Sequence, residues 1–212
     1  MLIAALSILV ALSAAAHITA EYEGPRKHVY VFKPLTMVFI IAIALLSPSS
    51  TYKHLILAGL LFSLAGDIFL MLPSDRFLHG LISFLVAHLF YIAAFTLDGG
   101  RSPRFLTALP LLAYGGLMLY LLLPGLGKMK APVTVYVLVI LLMVWQACNR
   151  WMSTWMITGL LATAGACLFA ASDSILALNR FRRPMRSAQF LILASYFAAQ
   201  WLIALSVALR PL

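Results

Sequence analysis

"GLLFSLAGDIFLML", residues 59–72, is an apolar run interrupted by a single carboxylate, Asp67. Whether it is the core of a soluble domain or a membrane span decides the fold, and composition settles the question. Of 212 residues, 64% are hydrophobic and 10% charged, with a mean hydropathy of +1.03. A bilayer is the natural solvent for so apolar a chain. A hydrocarbon core of ~30 Å takes about 20 helical residues, and eight such runs stand near 2–20, 29–47, 54–72, 77–97, 104–123, 132–148, 154–178 and 187–209. The sequence therefore predicts an all-α polytopic membrane helix bundle, one integral domain over residues 1–212, with short connections. The first run has small residues where a signal peptidase could cut but lacks a basic leader, so it is read as a span.

The formal charge of +9 does not point to nucleic acid, because the Lys and Arg residues lie at the ends of apolar runs and form no single stripe. Ten of the fifteen fall in odd-numbered connections: Arg26, Lys27, Lys33, Arg76, Lys128, Lys130, Arg180, Arg182, Arg183 and Arg186. Lys53, Arg101, Arg104, Arg150 and Arg210 fall on the other side. The positive-inside bias puts the odd connections in the cytoplasm and both termini outside, in what is expected to be a bacterial inner membrane. Cys148 and Cys167 stand alone in separate runs and match neither a disulfide framework nor zinc-ligand spacing.

The opening run has a partner. Asp173 follows Asp67 by 106 residues within "GACLFAASDSILALNRF", and "LFSLAGDIFLML" aligns with "LFAASDSILAL" through one gap. The next spans agree: "HLFYIAAF" resembles "LASYFAAQ", putting Tyr91 and Tyr196 24 and 23 residues after their aspartates. The chain reads as two four-span halves, roughly 1–100 and 101–212. An even number of spans separates them, so they run parallel and set both aspartates at equal depth.

Each aspartate precedes the cytoplasmic end of its predicted span by about five residues, or ~7 to 8 Å. A carboxylate below the headgroups costs ~2.5 to 3.5 kcal/mol on insertion scales, so both should face the bundle interior and find partners. A purely structural use is a bond to a neighbouring helix through Ser63 or Ser172. Further polar stripes appear at helical spacing: Phe84, His88, Tyr91 and Phe95 in the fourth span, and Gln189, Tyr196 and Gln200 in the eighth. Ordinary packing accounts for the aromatics, an interhelical hydrogen bond for Gln200 and a satisfied core position for His88. Gly59, Gly66, Gly159 and Gly165 read as close-packing points. Lys33, about four residues into its predicted span, either snorkels to the surface or contacts a phosphate at the cytoplasmic mouth.

Two intramembrane carboxyls limit the chemistry. The five histidines contain no HxxxH or HExxH spacing, so a zinc site is not expected and no cofactor is implied. No GxSxG elbow supports a serine nucleophile. Acid–base catalysis by the aspartates remains, and a poorly solvated carboxyl pair supplies an acid and a base together.

Taken together, "KPLTM" (33–37), "GDIFLML", "FLVAHLFYIAAF", "ASDSILALNRF" and "SYFAAQWLI" resemble the YhhN/lysoplasmalogenase family of eight-span membrane proteins, over nearly the whole chain. The resemblance implies hydrolysis of the vinyl ether bond of lysoplasmalogens to a fatty aldehyde and glycerophosphoethanolamine or glycerophosphocholine. It maps the family's motif aspartates onto Asp67 and Asp173, and its other motif residues onto Lys33, His88, Tyr91, Tyr196 and Gln200. With Ser63, these five are the candidate substrate-binding residues. The implied partners are a vinyl ether lysolipid and the surrounding membrane lipids.

The chemistry fits independently of the likeness. Vinyl ether cleavage needs a proton on the β-carbon and water on the resulting oxocarbenium ion, which an aspartic acid and an aspartate base can provide. Both expected depths match the bond's position beneath the headgroup. A proton-coupled lipid or small-molecule transporter would also use parallel repeats and buried carboxylates, though no Gly/Pro-broken half-helices are evident. A receptor or structural bundle is the third reading.

Overall fold

Each predicted run is a helix in the computed structural model, which describes residues 1–99 and 104–210. The helices are α1 (Leu2–Glu23), α2 (Arg26–Leu45), α3 (Thr51–Met71), α4 (Phe77–Asp98), α5 (Ala108–Leu122), α6 (Lys130–Thr154), α7 (Ile157–Phe181) and α8 (Ala188–Ala208). All eight, with the 3-10 turns flanking α5, are long and apolar enough to cross a membrane. No strand occurs among the described residues. Arg101, expected on the outer side, lies outside them.

Several boundaries differ from the expected ones, for local reasons. Lys33, counted with the first connection, is the eighth residue of α2. Pro34 beside it has no N–H to return to the preceding turn, yet the helix continues. There the buried hydroxyls of Thr36 and Ser13 bond each other at 2.8 Å and tie α2 to α1. Helix α6 runs six residues past its expected end because Asn149 and Arg150, polar enough to suggest a connection, are buried with partners. Asn149 Oδ1 accepts the Arg104 amide at 3.1 Å, and Arg150 donates to Asp98 at 2.8 Å and to the Thr158 carbonyl at 2.9 Å. The helix then stops at Trp155, in the left-handed region with φ 51°.

Pairing of the helices recurs between the halves. Helix α3 packs along α4 as α7 packs along α8, α2 meets α3 as α6 meets α7, and α2 touches α8 as α6 touches α4. Two parallel copies would make these contacts. The outer helices depart from the pattern: α1 lies in the groove of α2 and α8, whereas α5 leans on α6 and α7. Consequently α5 is mostly exposed and α8 mostly enclosed. Between α7 and α8, Gly165 lets the backbones approach, since a Cβ there would come within 2.8 Å of the Ala199 carbonyl oxygen.

Odd connections share one end of the bundle. The Asp75 carboxylate, between α3 and α4, pairs with Arg180 in the last turn of α7 at 2.7 Å, and Tyr22 in the last turn of α1 donates to the Arg186 carbonyl in the last connection. At the opposite end Asp98 bridges Arg150 and Arg210, and both guanidinium groups sit against the ring of Tyr52. The apolar core between these layers includes Met37, Ile40, Ile56, Leu60, Phe84, Phe95, Phe169 and Ile203.

Candidate functional site

Asp67 faces inward from α3 and is 1% exposed. Lys33 Nζ approaches its Oδ1 to 3.1 Å from α2, while the Tyr196 hydroxyl donates to Oδ2 at 2.5 Å from α8. Three helices thus converge on one carboxylate. The Lys33 side chain is 12% exposed, so it turns into the bundle instead of snorkelling outward. In so apolar a layer a carboxylate without a cation would be far more costly, which is why the pair forms here.

Behind this pair lies a second polar group. Tyr91 of α4 donates to Gln200 Oε1 of α8 at 2.8 Å, its ring seated over Gly59, where a Cβ would come within 2.2 Å of Cε1. Gly66 similarly makes room for the ring of Phe84. Ser63 Oγ, Gln200 Nε2 and both ring nitrogens of His88 are buried without a hydrogen-bond partner among the described residues. Neither serine offered as a structural partner is hydrogen-bonded to an aspartate, since Ser172 donates to the Ile192 carbonyl at 2.9 Å. Gln189 is not part of this group and donates to Glu21 at 3.2 Å near the end of the bundle.

Asp173 has a different setting. It is half-buried on α7 and accepts a hydrogen bond from Tyr136 of α6. It lines an apolar cleft walled by Leu70, Leu81, Phe84, Tyr136, Ile140 and Ala177. Neighbouring Ser174 bonds Tyr114 of α5 at 2.6 Å. The cleft reaches the odd-connection end of the bundle at Phe77 and Phe181, the first residue of α4 and the last of α7. Its polar wall is confined to a few groups, with Asp173 eight residues inside the end of α7.

An aromatic layer stands between the two carboxyl assemblies. His88 lies 5.2 Å from Tyr136 and 4.7 Å from Phe169, ring centre to ring centre, and Phe169 and Phe84 each pack edge-on against Tyr196. The predicted fourth-span stripe of Phe84, His88, Tyr91 and Phe95 is buried throughout. Tyr136 was not singled out by the sequence, although α6 stands to α7 as α2 stands to α3. That correspondence, applied to Lys33, points to the first turns of α6 as the place to look.

At the mouth, Arg180 Nη2 meets Asp75 at 3.0 and 2.7 Å and its guanidinium lies 4.1 Å from the centre of the Phe77 ring. Hydrogen bonding from Arg180, then from the Phe77 amide, holds the Asp75 carboxyl below the usual carboxylate range.

Comparison of the sequence with known proteins points to a family. The YhhN family profile covers residues 28–207. The chain is 32% identical over 201 residues to the "Uncharacterized membrane protein YhhN" of Escherichia coli O6:H1, covering 94% of this chain and 97% of that one. It is 41% identical over 165 residues to human lysoplasmalogenase TMEM86A, covering 75% of this chain and 66% of the relative. Against human lysoplasmalogenase TMEM86B the identity is 35% over 176 residues, or 78% and 69% of the two chains. No solved structure matches. The eight spans, the ordered motifs around Asp67 and Asp173 and the profile covering most of the chain lead to one assignment: this protein belongs to the YhhN family.

Proposed function

We propose that this protein hydrolyses the vinyl ether bond of lysoplasmalogens in the cytoplasmic leaflet of a bacterial inner membrane, releasing a fatty aldehyde and glycerophosphoethanolamine or glycerophosphocholine. The observation that carries the reading is Asp173 on the wall of an apolar cleft that reaches the end of the bundle. The names of the mammalian relatives support it.

In this reading the alkenyl chain lies along the cleft with its vinyl ether beside Asp173. Asp173 gives its proton to the β-carbon, forming a C–H bond as the ether oxygen's lone pair closes the oxocarbenium ion. Water attacks the adjacent carbon and loses a proton to a carboxylate. Asp67, oriented by the Tyr196 hydroxyl and the Lys33 ammonium, is assigned that base role; because it does not line the cleft, the role requires the water to pass the Phe84, His88 and Phe169 rings to reach it. The hemiacetal then collapses: its O–H proton passes to the Asp173 carboxylate, the bond between the aldehyde carbon and the glycerol oxygen breaks, and the glycerol oxygen takes the proton held by Asp67, which restores both aspartates. Tyr136 fixes the Asp173 carboxyl; Ser63, His88, Tyr91 and Gln200 are fully buried behind the cleft wall and are assigned to the polar support of Asp67 and the aromatic layer.

Purified protein in detergent should turn over a vinyl ether lysolipid, which transport across two compartments cannot mimic. In D₂O the rapidly trapped aldehyde should carry one deuterium on its second carbon. In H₂¹⁸O the glycerophospho product should keep its unlabelled oxygen. Label in the glycerol oxygen, or aldehyde without deuterium, would mean that another bond breaks and would overturn the mechanism.

A further inference from the structure

Lys33 is committed to Asp67, so a lipid phosphate needs another cation, and the cleft mouth offers one. Arg180 lies over Phe77 at 4.1 Å and 5.8 Å from the centre of the Phe181 ring, and both rings line the cleft. Its side chain is 38% exposed and that of Asp75 is 72% exposed. Exposed ion pairs contribute little to stability, so this one can open at small cost. Arg180 also precedes Phe181 at the end of α7 and stands about 10 Å along the helix from Asp173, a separation that a glycerol phosphate and the arginine side chain can span.

Resting on the proposed vinyl ether hydrolysis, we propose that Arg180 and Asp75 form a receptor for a zwitterionic phospholipid headgroup, the guanidinium binding the phosphate and the carboxylate the ammonium. One internal ion pair is exchanged for two with the ligand. An arginine fork suits a phosphate's oxygens, while Asp75 meets ethanolamine or choline. The aromatic seat keeps Arg180 at the mouth while the partners exchange. A headgroup without an ammonium gains only half of this recognition.

Equilibrium binding of non-cleavable alkyl ether analogues to the full-length protein in nanodiscs tests the receptor without requiring turnover. Three probes suffice: 1-alkyl lysophosphocholine, 1-alkyl lysophosphoglycerol and 1-alkylglycerol. Arg180→Gln should raise Kd about tenfold for both phosphate-bearing probes, the loss of one charge-assisted contact, and leave 1-alkylglycerol unchanged. Asp75→Asn should weaken only the phosphocholine probe. Excess inorganic phosphate should displace none of the three. Equal losses on all three probes would reduce the pair to a structural clasp, no loss would remove it from recognition, and displacement by inorganic phosphate would reassign the site to the free ion; each overturns the proposal. Failure of wild-type protein to cleave vinyl ethers, with this binding pattern intact, would instead sink the proposed reaction alone.

Discussion

Lys33 Nζ lies 3.1 Å from Asp67 Oδ1, an ion pair enclosed by α2, α3 and α8. Removing one member of such a pair strands the other charge in a low-dielectric layer, at a cost of ~3 to 5 kcal/mol. Lys33→Met should therefore lower the thermal midpoint in detergent sharply. Adding Asp67→Asn, which removes the stranded charge, should recover most of the loss. A double variant no more stable than Lys33→Met would show that the two residues are not energetically coupled.

Asp67→Asn and Asp173→Asn are nearly isosteric and remove an acid or base. Each should reduce vinyl ether turnover by ~10² to 10⁴, the usual range for such groups, while Asp173→Asn still folds and inserts. Tyr136→Phe removes one hydrogen bond to Asp173 and should cost about tenfold or more in kcat with a smaller effect on KM. Activity close to wild type in either aspartate variant would end the two-carboxylate mechanism.

Gly59 is the seat of the Tyr91 ring, with 2.2 Å between a built Cβ and Cε1. Gly59→Ala should push the ring off Gln200 and destabilise the bundle by ~1 to 3 kcal/mol, as overpacking does. Tyr91→Leu in the same background should relieve the clash. An unchanged melting curve for Gly59→Ala alone would show that the α3–α4 contact is looser than drawn.

Orientation is open to thiol labelling in a background with Cys148 and Cys167 replaced by Ala. A cysteine at Arg183 should be shielded from impermeant reagent in intact cells, and one at Ser49, at the opposite end, should react. The reverse pattern would put the cleft mouth and the Asp75–Arg180 pair on the outer face.

The spans and the two aspartates were legible in the sequence because those properties belong to single helices. A run of about 20 apolar residues has one stable way to cross hydrocarbon, and a carboxylate within it must turn inward. Helical spacing likewise predicted the buried face of Phe84, His88, Tyr91 and Phe95. The exact helix ends were less legible, since Arg150 reads as a loop residue until Asp98 and the Thr158 carbonyl are brought to it.

Which groups meet across helices was decided only by the tertiary structure. Tyr136 is one of eight tyrosines, and nothing within α6 marks it as the donor to Asp173. In the sequence Lys33 reads as a residue that snorkels to the surface or contacts a phosphate, and its pairing with Asp67 is not foreseen there. The choice was made by α2 packing against α3 and α8, which buried Asp67 beside an ammonium. Likewise α5 leans on α6 and α7, and the resulting cleft opens beside Asp173. Sequence periodicity says which face of a helix is buried. The energy of packing that face against several others at once selects its neighbours, and that energy exists only in the assembled bundle.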